Sequence, residues 1–388
     1  MRKNISYKKH VLPTAILALL VTALAWAAVA QVSDSAPTPP ELVVKVENDD
    51  ADDSLRDVIA NASNGDVITF APGVTRITLS REISFNQSFI TIDGGGGVTI
   101  TKDAEADFRL LYSRAGTGTL TLKGLTFENG NTTSAGGGVR ISGGTALEDC
   151  VFRNNTAYTG GGACVSGTAV ITNCTFTGNT GKSATGGIEV DGMAFITNCT
   201  FTGNASGNAG GAVDISVAVI ADCTFTDNTA SYGGAVYAKT AAVLNDCVFN
   251  GNTAIGDSGG AVYTAGTADV SGCVFTDNTA RRDGGAVYAR GNVGIDGCVF
   301  AGNEAYLGGA VFTWGDADLK DCSFTRNKPT GKNGAVYAEG KRELINCTFG
   351  GGSDQDWSLI AALAAAILIG LTAAVLILQK KGKLAKKI

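Results

Sequence analysis

Ala242-Val243-Leu244-Asn245-Asp246-Cys247-Val248-Phe249-Asn250-Gly251-Asn252 decides the fold of this chain, because its pattern keeps returning. Aliphatic-x-(Asn/Asp/Gly)-Cys-x-Phe occurs nine times at spacings of 24 to 26 residues, on Cys150, Cys174, Cys199, Cys223, Cys247, Cys273, Cys298, Cys322 and Cys347. A cysteine-free copy precedes them as Leu122-Lys123-Gly124-Leu125-Thr126-Phe127. Repeats of this length, built from strand-forming residues and small turns, signal a solenoid in which each coil buries the edge of the next.

Comparing the repeats position by position shows which side chains face in. Successive residues of a strand point to opposite faces, so Ala242 shares a face with Leu244, and Cys247 with Phe249. The position three before each cysteine is always aliphatic (Leu147, Ile171, Ile196, Ile220, Leu244, Val270, Ile295, Leu319, Leu344). The Phe column from Phe152 to Phe349 is unbroken, and such columns must face inward. The residue before Cys is always Asn, Asp or Gly, the types that tolerate left-handed backbone, which predicts a sharp bend there. Asn155, Asn179, Asn204, Asn228, Asn252, Asn278, Asn303 and Asn327 stand five residues after Cys, where stacked amides can pass hydrogen bonds from coil to coil. A short loop, a Gly-Gly pair and a third strand follow, as in Gly259-Gly260-Ala261-Val262-Tyr263. Three strands per coil predict an all-β, right-handed parallel β-helix of ~11 coils of ~25 residues, roughly 50 Å long.

The two ends read differently. Residues 1–30 carry an early cluster of positive charge (Arg2, Lys3, Lys8, Lys9), an apolar run from Val11 to Trp26 and Ala28-Val29-Ala30, as a secretory signal peptide does. An N-terminal membrane anchor is the alternative. Residues 31–49 form a polar linker. Residues 357–379 hold no charge and are long enough to span a bilayer, after a spacer at 351–356. The lysines of 380–388 place that end in the cytosol. These features predict a single-pass plasma-membrane protein with its repeats outside the cell and its C-terminus inside. Of the 30 basic residues, four lie in the signal and five in the tail, leaving 21 against 36 acidic ones. An ectodomain near −15 argues against nucleic acid as a partner, although acidity also serves simply to keep a repetitive β-protein soluble.

Strand edges at the ends of a solenoid invite polymerisation unless covered. Ser54-Leu55-Arg56-Asp57-Val58-Ile59 supplies a cover: Ser54 with Asp57 forms a weak capping box, and Leu55, Val58 and Ile59 share one helical face. A helical cap is therefore expected within 50–70, followed by repeats over 71–350. The opposite end shows no comparable cap.

The repeated Gly259-Gly260-Ala261-Val262 and Phe275-Thr276-Asp277-Asn278 motifs resemble those of the chlamydial polymorphic membrane proteins. Asp53-Ser54-Leu55-Arg56-Asp57-Val58-Ile59, followed by Gly65-Asp66-Val67-Ile68-Thr69-Phe70, resembles the N-terminal cap of bacterial pectate-lyase-like β-helices. The resemblance covers about residues 50–350 and implies a right-handed β-helix on a cell surface, with adhesion as the usual role. Those membrane proteins end in an outer-membrane barrel, whereas this chain ends in one apolar stretch.

Ten cysteines in an extracellular chain would ordinarily suggest disulfides. In one column, however, their Cβ vectors run parallel rather than converging, which favours buried thiols filling space beneath Phe. Cys164 lies outside that column, and no Cys-x-x-Cys occurs. No cofactor or metal is expected.

Catalysis finds little support. The one histidine, His10, lies in the signal, so the mature chain would have no imidazole for acid–base work. Carboxylates could serve instead. Asp227 and Asp277 share a column but Gly251 separates them, and Asp222 and Asp246 are neighbours that could hold a weak calcium ion or merely form bends. Only four to six residues separate the corner Asn from the next Gly-Gly, too few to wall a cleft.

Tyr237, Tyr263, Tyr288, Phe312 and Tyr337 occupy one position of the last five Gly-Gly strands, where earlier coils are assigned Arg140, Val165, Val190 and Asp214. An outward, exposed aromatic column could stack sugar rings or dock a protein, with Lys239, Arg290, Trp314 and Glu339 beside it; alternatively it only strengthens the sheet. Gly-to-Cys distances of 13 residues from Gly161, Gly186 and Gly210, against 14 from Gly233 onward, suggest that the aromatic coils form a distinct block. Glu189 falls in the Val column unless a one-residue slip turns Ile188 and Val190 inward. The expectation is a non-catalytic adhesin or structural module whose partner is a surface protein or polysaccharide. A polysaccharide-binding or -cleaving protein is the alternative, and a plain spacer the third option.

Overall fold

The computed structural model describes residues 41–350 apart from 104–105, 115, 117 and 332–333. The expected signal, most of the linker, the spacer, the membrane-spanning helix and the basic tail lie outside the described residues. Among the described residues no helix is long and apolar enough to cross a membrane.

One turn shows how the chain coils. Val262–Thr264, Thr267–Ser271 and Val274–Thr276 are its three strands, each pairing in parallel with its counterpart one turn on: Val287–Ala289, Val293–Asp296 and Val299–Ala301. Stacking continues for about 12 turns, more than the ~11 expected from the cysteine and Phe spacing. Near the N-terminus Ile77 and Ile100 occupy the Phe column in register with Phe127. The segment after the corner Asn is also more regular than a loop. It holds a two-residue strand, Thr279–Ala280 in this turn, and eight such strands stack into a second sheet.

Bends fall where residue type predicts. The residue before each cysteine is left-handed in every repeat, with φ between 51° and 62° from Asp149 to Asn346. A second left-handed site follows Phe, at Asn154, Gly178, Gly203, Asp227, Gly251, Asp277, Gly302 and Arg326. Asp227, Asp277, Asp222 and Asp246 are thus explained as bend residues, and the described residues contain no cluster able to hold a metal. The Gly-Gly pair divides its work. Gly259 takes φ +71°, while a Cβ on Gly260 would lie 2.0 Å from the carbonyl oxygen of Gly285, so adjacent turns approach closely only through glycine.

Inside the coil, Phe127 through Phe324 are fully buried. Their rings and that of Phe349 stack with centroids 4.7–5.2 Å apart and planes within 15°. The asparagine ladder forms as expected. Asn252 Nδ2 donates to Asn278 Oδ1 (2.9 Å) and to the Phe225 carbonyl (3.0 Å), while Asn252 Oδ1 accepts from Asn228 N and Nδ2. All ten cysteines are free thiols, and every one except Cys347 is buried. Cys199 N donates to Cys223 Sγ at 3.3 Å, so the thiols accept backbone donors from the preceding turn as well as filling space.

Leu55–Asn61 forms the one α-helix among the described residues, with Ser54 Oγ accepting from Asp57 N and with Leu55, Val58 and Ile59 buried in the main apolar cluster. The reciprocal bond of a capping box is displaced by one residue, Asp57 Oδ2 accepting from Asp53 N. At the far end Leu344, Ile345 and Phe349 are exposed, because no further turn among the described residues covers them.

Candidate functional site

The third strand of each turn presents a continuous outward column. Strand register gives its order as Tyr112, Arg140, Cys164, Glu189, Asp214, Tyr237, Tyr263, Tyr288, Phe312, Tyr337. Two sequence expectations change here. Val165 and Val190 point into the coil and are fully buried, so the outward residues of those turns are Cys164 and Glu189. The slip foreseen at Glu189 is real, since Ile188 and Val190 both face the core. The same register aligns Gly160 and Thr185 with Gly210, so the turn starting at Gly210 alone is one residue short, and a bulge between Ile215 and Val217 absorbs the difference. The aromatic turns are not a separate length class.

The aromatic column is outward but not fully exposed. Tyr263, Tyr288 and Phe312 retain 4%, 7% and 2% of their surface, and Tyr237 and Tyr337 are half-buried at the two ends. Rings at one-turn spacing cover each other's faces, with centroids 4.6–5.3 Å apart. Neighbours close the flanks: Tyr232 packs edge-on against Tyr263 at 5.7 Å, and Trp314 does the same to Phe312 at 5.7 Å. The result is a second apolar cluster outside the coil, separate from the main core. What solvent meets is its rim. Trp314 is 55% exposed and donates from Nε1 to Tyr288 Oη at 2.8 Å; Arg290 lies 6.0 Å from the Tyr263 centroid; Tyr337 Oη donates to Glu339 Oε1 at 2.8 Å. Burial, and then the nearby Tyr288 phenol, push the Tyr263 hydroxyl up to about 12, so it is neutral and serves as a hydrogen-bonding group.

The charged half of the column lies in the preceding turns. Glu189 and Asp214 stand opposite one another on adjacent turns. Asp214 is 4% exposed, and Lys239 Nζ lies 3.2 Å from its Oδ1. Burial raises the Asp214 carboxyl to about 6; Lys239 opposes the shift, and Glu189 and Asp191 add to it. Lys239 holds its own proton more tightly: burial works against its charge, but Asp214 outweighs that. Glu189 accepts from Thr159 Oγ1. Sequence reasoning did not bring this pair together because it aligned Gly161 and Gly186, rather than Gly160 and Thr185, with Gly210. The signal at Glu189 lay in its apolar neighbours Ile188 and Val190, while in the turn before it Gly160-Gly161-Gly162 leaves the frame ambiguous.

A solenoid of parallel turns with a closed apolar interior and one patterned outer face defines a parallel β-helix. The chain belongs to the right-handed β-helix region family, whose model matches residues 112–275 and 211–355. No curated protein matches it. Among solved structures it is similar to pectate lyase Pel9A (14% identity, TM-score 0.39, covering 81% of this chain and 79% of that one). It is also similar to alginate lyase AlyF-OU02 in complex with G6 (11%, TM-score 0.36, covering 82% and 87%). A third is PfbA, a surface adhesin of Streptococcus pneumoniae (11%, TM-score 0.33, covering 80% and 93%). Likeness this loose bears on neither activity nor ligand.

Proposed function

We propose that this chain is a non-catalytic binding protein, held at a membrane by residues 357–379, whose ligand lies along the outer rim of the Tyr237–Tyr337 column. The observation that carries the reading is where the aromatic residues are placed. The coil interior is already filled by Phe and aliphatic columns, yet five consecutive turns carry a further aromatic outside it, edged by Trp314, Arg290 and Glu339. Flat apolar edges flanked by polar hydrogen-bonding groups suit a sugar ring or an extended polypeptide of a neighbouring surface.

Glycan cleavage is the second reading, and the Glu189–Asp214 pair favours it. Two carboxylates on adjacent turns, one holding its proton up to about 6, have the asymmetry that acid–base cleavage of a glycosidic bond uses.

One experiment separates these readings. The full chain is incubated with a panel of polysaccharides and matrix proteins, and bound material and released oligosaccharide are measured together. Retention without products, weakened about tenfold (about 1.4 kcal/mol) in Trp314→Ala with Tyr337→Ala, supports the binding reading. Products that vanish in Glu189→Gln overturn it in favour of cleavage.

A further inference from the structure

Three arginines surround one tyrosine ring at the other end of the outward column. The Cζ atoms of Arg109, Arg114 and Arg140 lie 4.7, 4.9 and 5.3 Å from the Tyr112 centroid. All three guanidiniums therefore fall within about 10 Å of one another, the Debye length at 0.1 M salt, where like charges repel with little screening. One is neutralised: Arg109 is buried, pairs with Glu82 through Nε (2.6 Å), and donates from Nη1 to the Ala135 carbonyl (2.7 Å). Among the described residues neither Arg114 nor Arg140 has an ion pair or a side-chain hydrogen bond, and Arg140 Nε is buried with no partner at all. An unsatisfied buried donor on a charged group calls for an occupant.

Among the described residues no acidic side chain pairs with Arg114 or Arg140. The next residue of the column is Cys164, whose thiol is neutral because burial, and then Glu189, push it up to about 12. Glu189 itself is a turn further on and engaged by Thr159. Cation–π contact accounts for one or two of the arginines but not for gathering three of them in a chain of net charge −6.

We propose that Arg114 and Arg140, braced by Tyr112 and Arg109, form an oxyanion-binding site for a ligand that carries an accessible carboxylate or sulfate. Arg140 presents a buried donor from the next turn, and Arg114 closes over the ring from the solvent side. Guanidinium forks match either anion through paired N–H donors. The site lies five turns from Tyr237 along the column and does not rest on the binding role given to the aromatic rim.

The test titrates potassium sulfate and, separately, sodium acetate into the full chain at constant ionic strength held with potassium chloride. Calorimetry reads binding, and the unfolding midpoint reads its effect on stability. One saturable anion site per chain that raises the midpoint is expected, weakened about threefold by Arg114→Gln and at least tenfold by Arg114→Gln with Arg140→Gln. Arg114 is exposed, so its single variant keeps the fold and guards against loss of binding through misfolding. In the absence of sulfate and acetate that single variant should melt higher than the parent, because a repelling charge is gone. Preference for one anion identifies the group recognised. No saturable binding of either anion, or unchanged affinity in the double variant, overturns the site.

Discussion

Two aromatic stacks run the length of many turns in this molecule, one inside the coil and one outside, and they obey different rules. The inner stack never varies from Phe127 to Phe349, and its buried members retain at most 1% of their surface. The outer column changes along its length, from Tyr112 and Arg140 through Cys164, Glu189 and Asp214 to five aromatics. Both have the same spacing, because the parallel ladder sets it. The difference is what solvent allows: an interior position admits one shape, whereas an outward position admits any residue its neighbours can pair or cover. Invariance within the chain therefore reads as fold, and variation on a fixed column marks where the fold leaves residue choice free.

The largest test of that distinction lies in the ladder. Asn252→Ala orphans the Phe225 carbonyl, the Asn228 backbone N–H and the amide partners above and below, all buried. At about 1–3 kcal/mol for each group left unsatisfied, a loss of roughly 5 kcal/mol is expected in denaturant unfolding. A loss below ~2 kcal/mol would show that water enters the corner and that the ladder is not a closed interior element.

Phe249→Ala against Tyr263→Ala sharpens the contrast between the stacks. Deleting a fully buried ring from the coil interior should cost about 4 kcal/mol, since the neighbouring turns are held at ladder spacing and cannot collapse. Tyr263 sits in a smaller cluster open on one side, so water and the Tyr232 ring can fill the gap. There the cost should be about 2 kcal/mol. Equal losses from urea titrations of the two variants would make the outer column a second core with no separate role.

Much of this was legible from the repeats. The bend before Cys, the inward Phe, the amide ladder and the helix at Leu55–Asn61 each follow from one residue's conformational or hydrogen-bonding preference, which the sequence repeats until it is unmistakable. The outward column was legible only where its residues were aromatic. At Cys164 the run of three glycines leaves the frame free by one residue, and at Glu189 a threonine replaces the first glycine, so that backbone pairing decides both. Exposure of the tyrosines was misjudged for a related reason: alternation tells which face a side chain takes, not what its neighbours a turn away will cover.

Asp214 distinguishes the outer column by pH. Its carboxyl binds a proton more tightly in the folded chain than at the ordinary value of 3.8, so this stabilising contribution is fully present below 3.8 and is lost as pH rises through about 6. The shift corresponds to roughly 2–3 kcal/mol. Asp214→Asn should thus stabilise the chain at pH 8 by up to that amount and leave it nearly unchanged at pH 3.5. Melting curves at the two pH values check this, and an advantage that does not vary with pH would mean that folding does not shift the Asp214 carboxyl.

The smallest stability effect belongs to the residue expected to matter most for binding. Trp314 is 55% exposed, and its Nε1 bond to Tyr288 Oη can be replaced by water. Trp314→Ala should therefore cost less than ~1 kcal/mol of stability. In the solenoid a ring that stabilises the fold lies between two others, whereas Trp314 meets Phe312 only edge-on and leaves the rest of its indole to solvent. Unfolding midpoint and ligand retention measured on one preparation give the two numbers side by side. Near-native stability with a tenfold loss of retention would place function at the rim, while the reverse, a large destabilisation with retention intact, would return Trp314 to the set of residues that only hold the turns together.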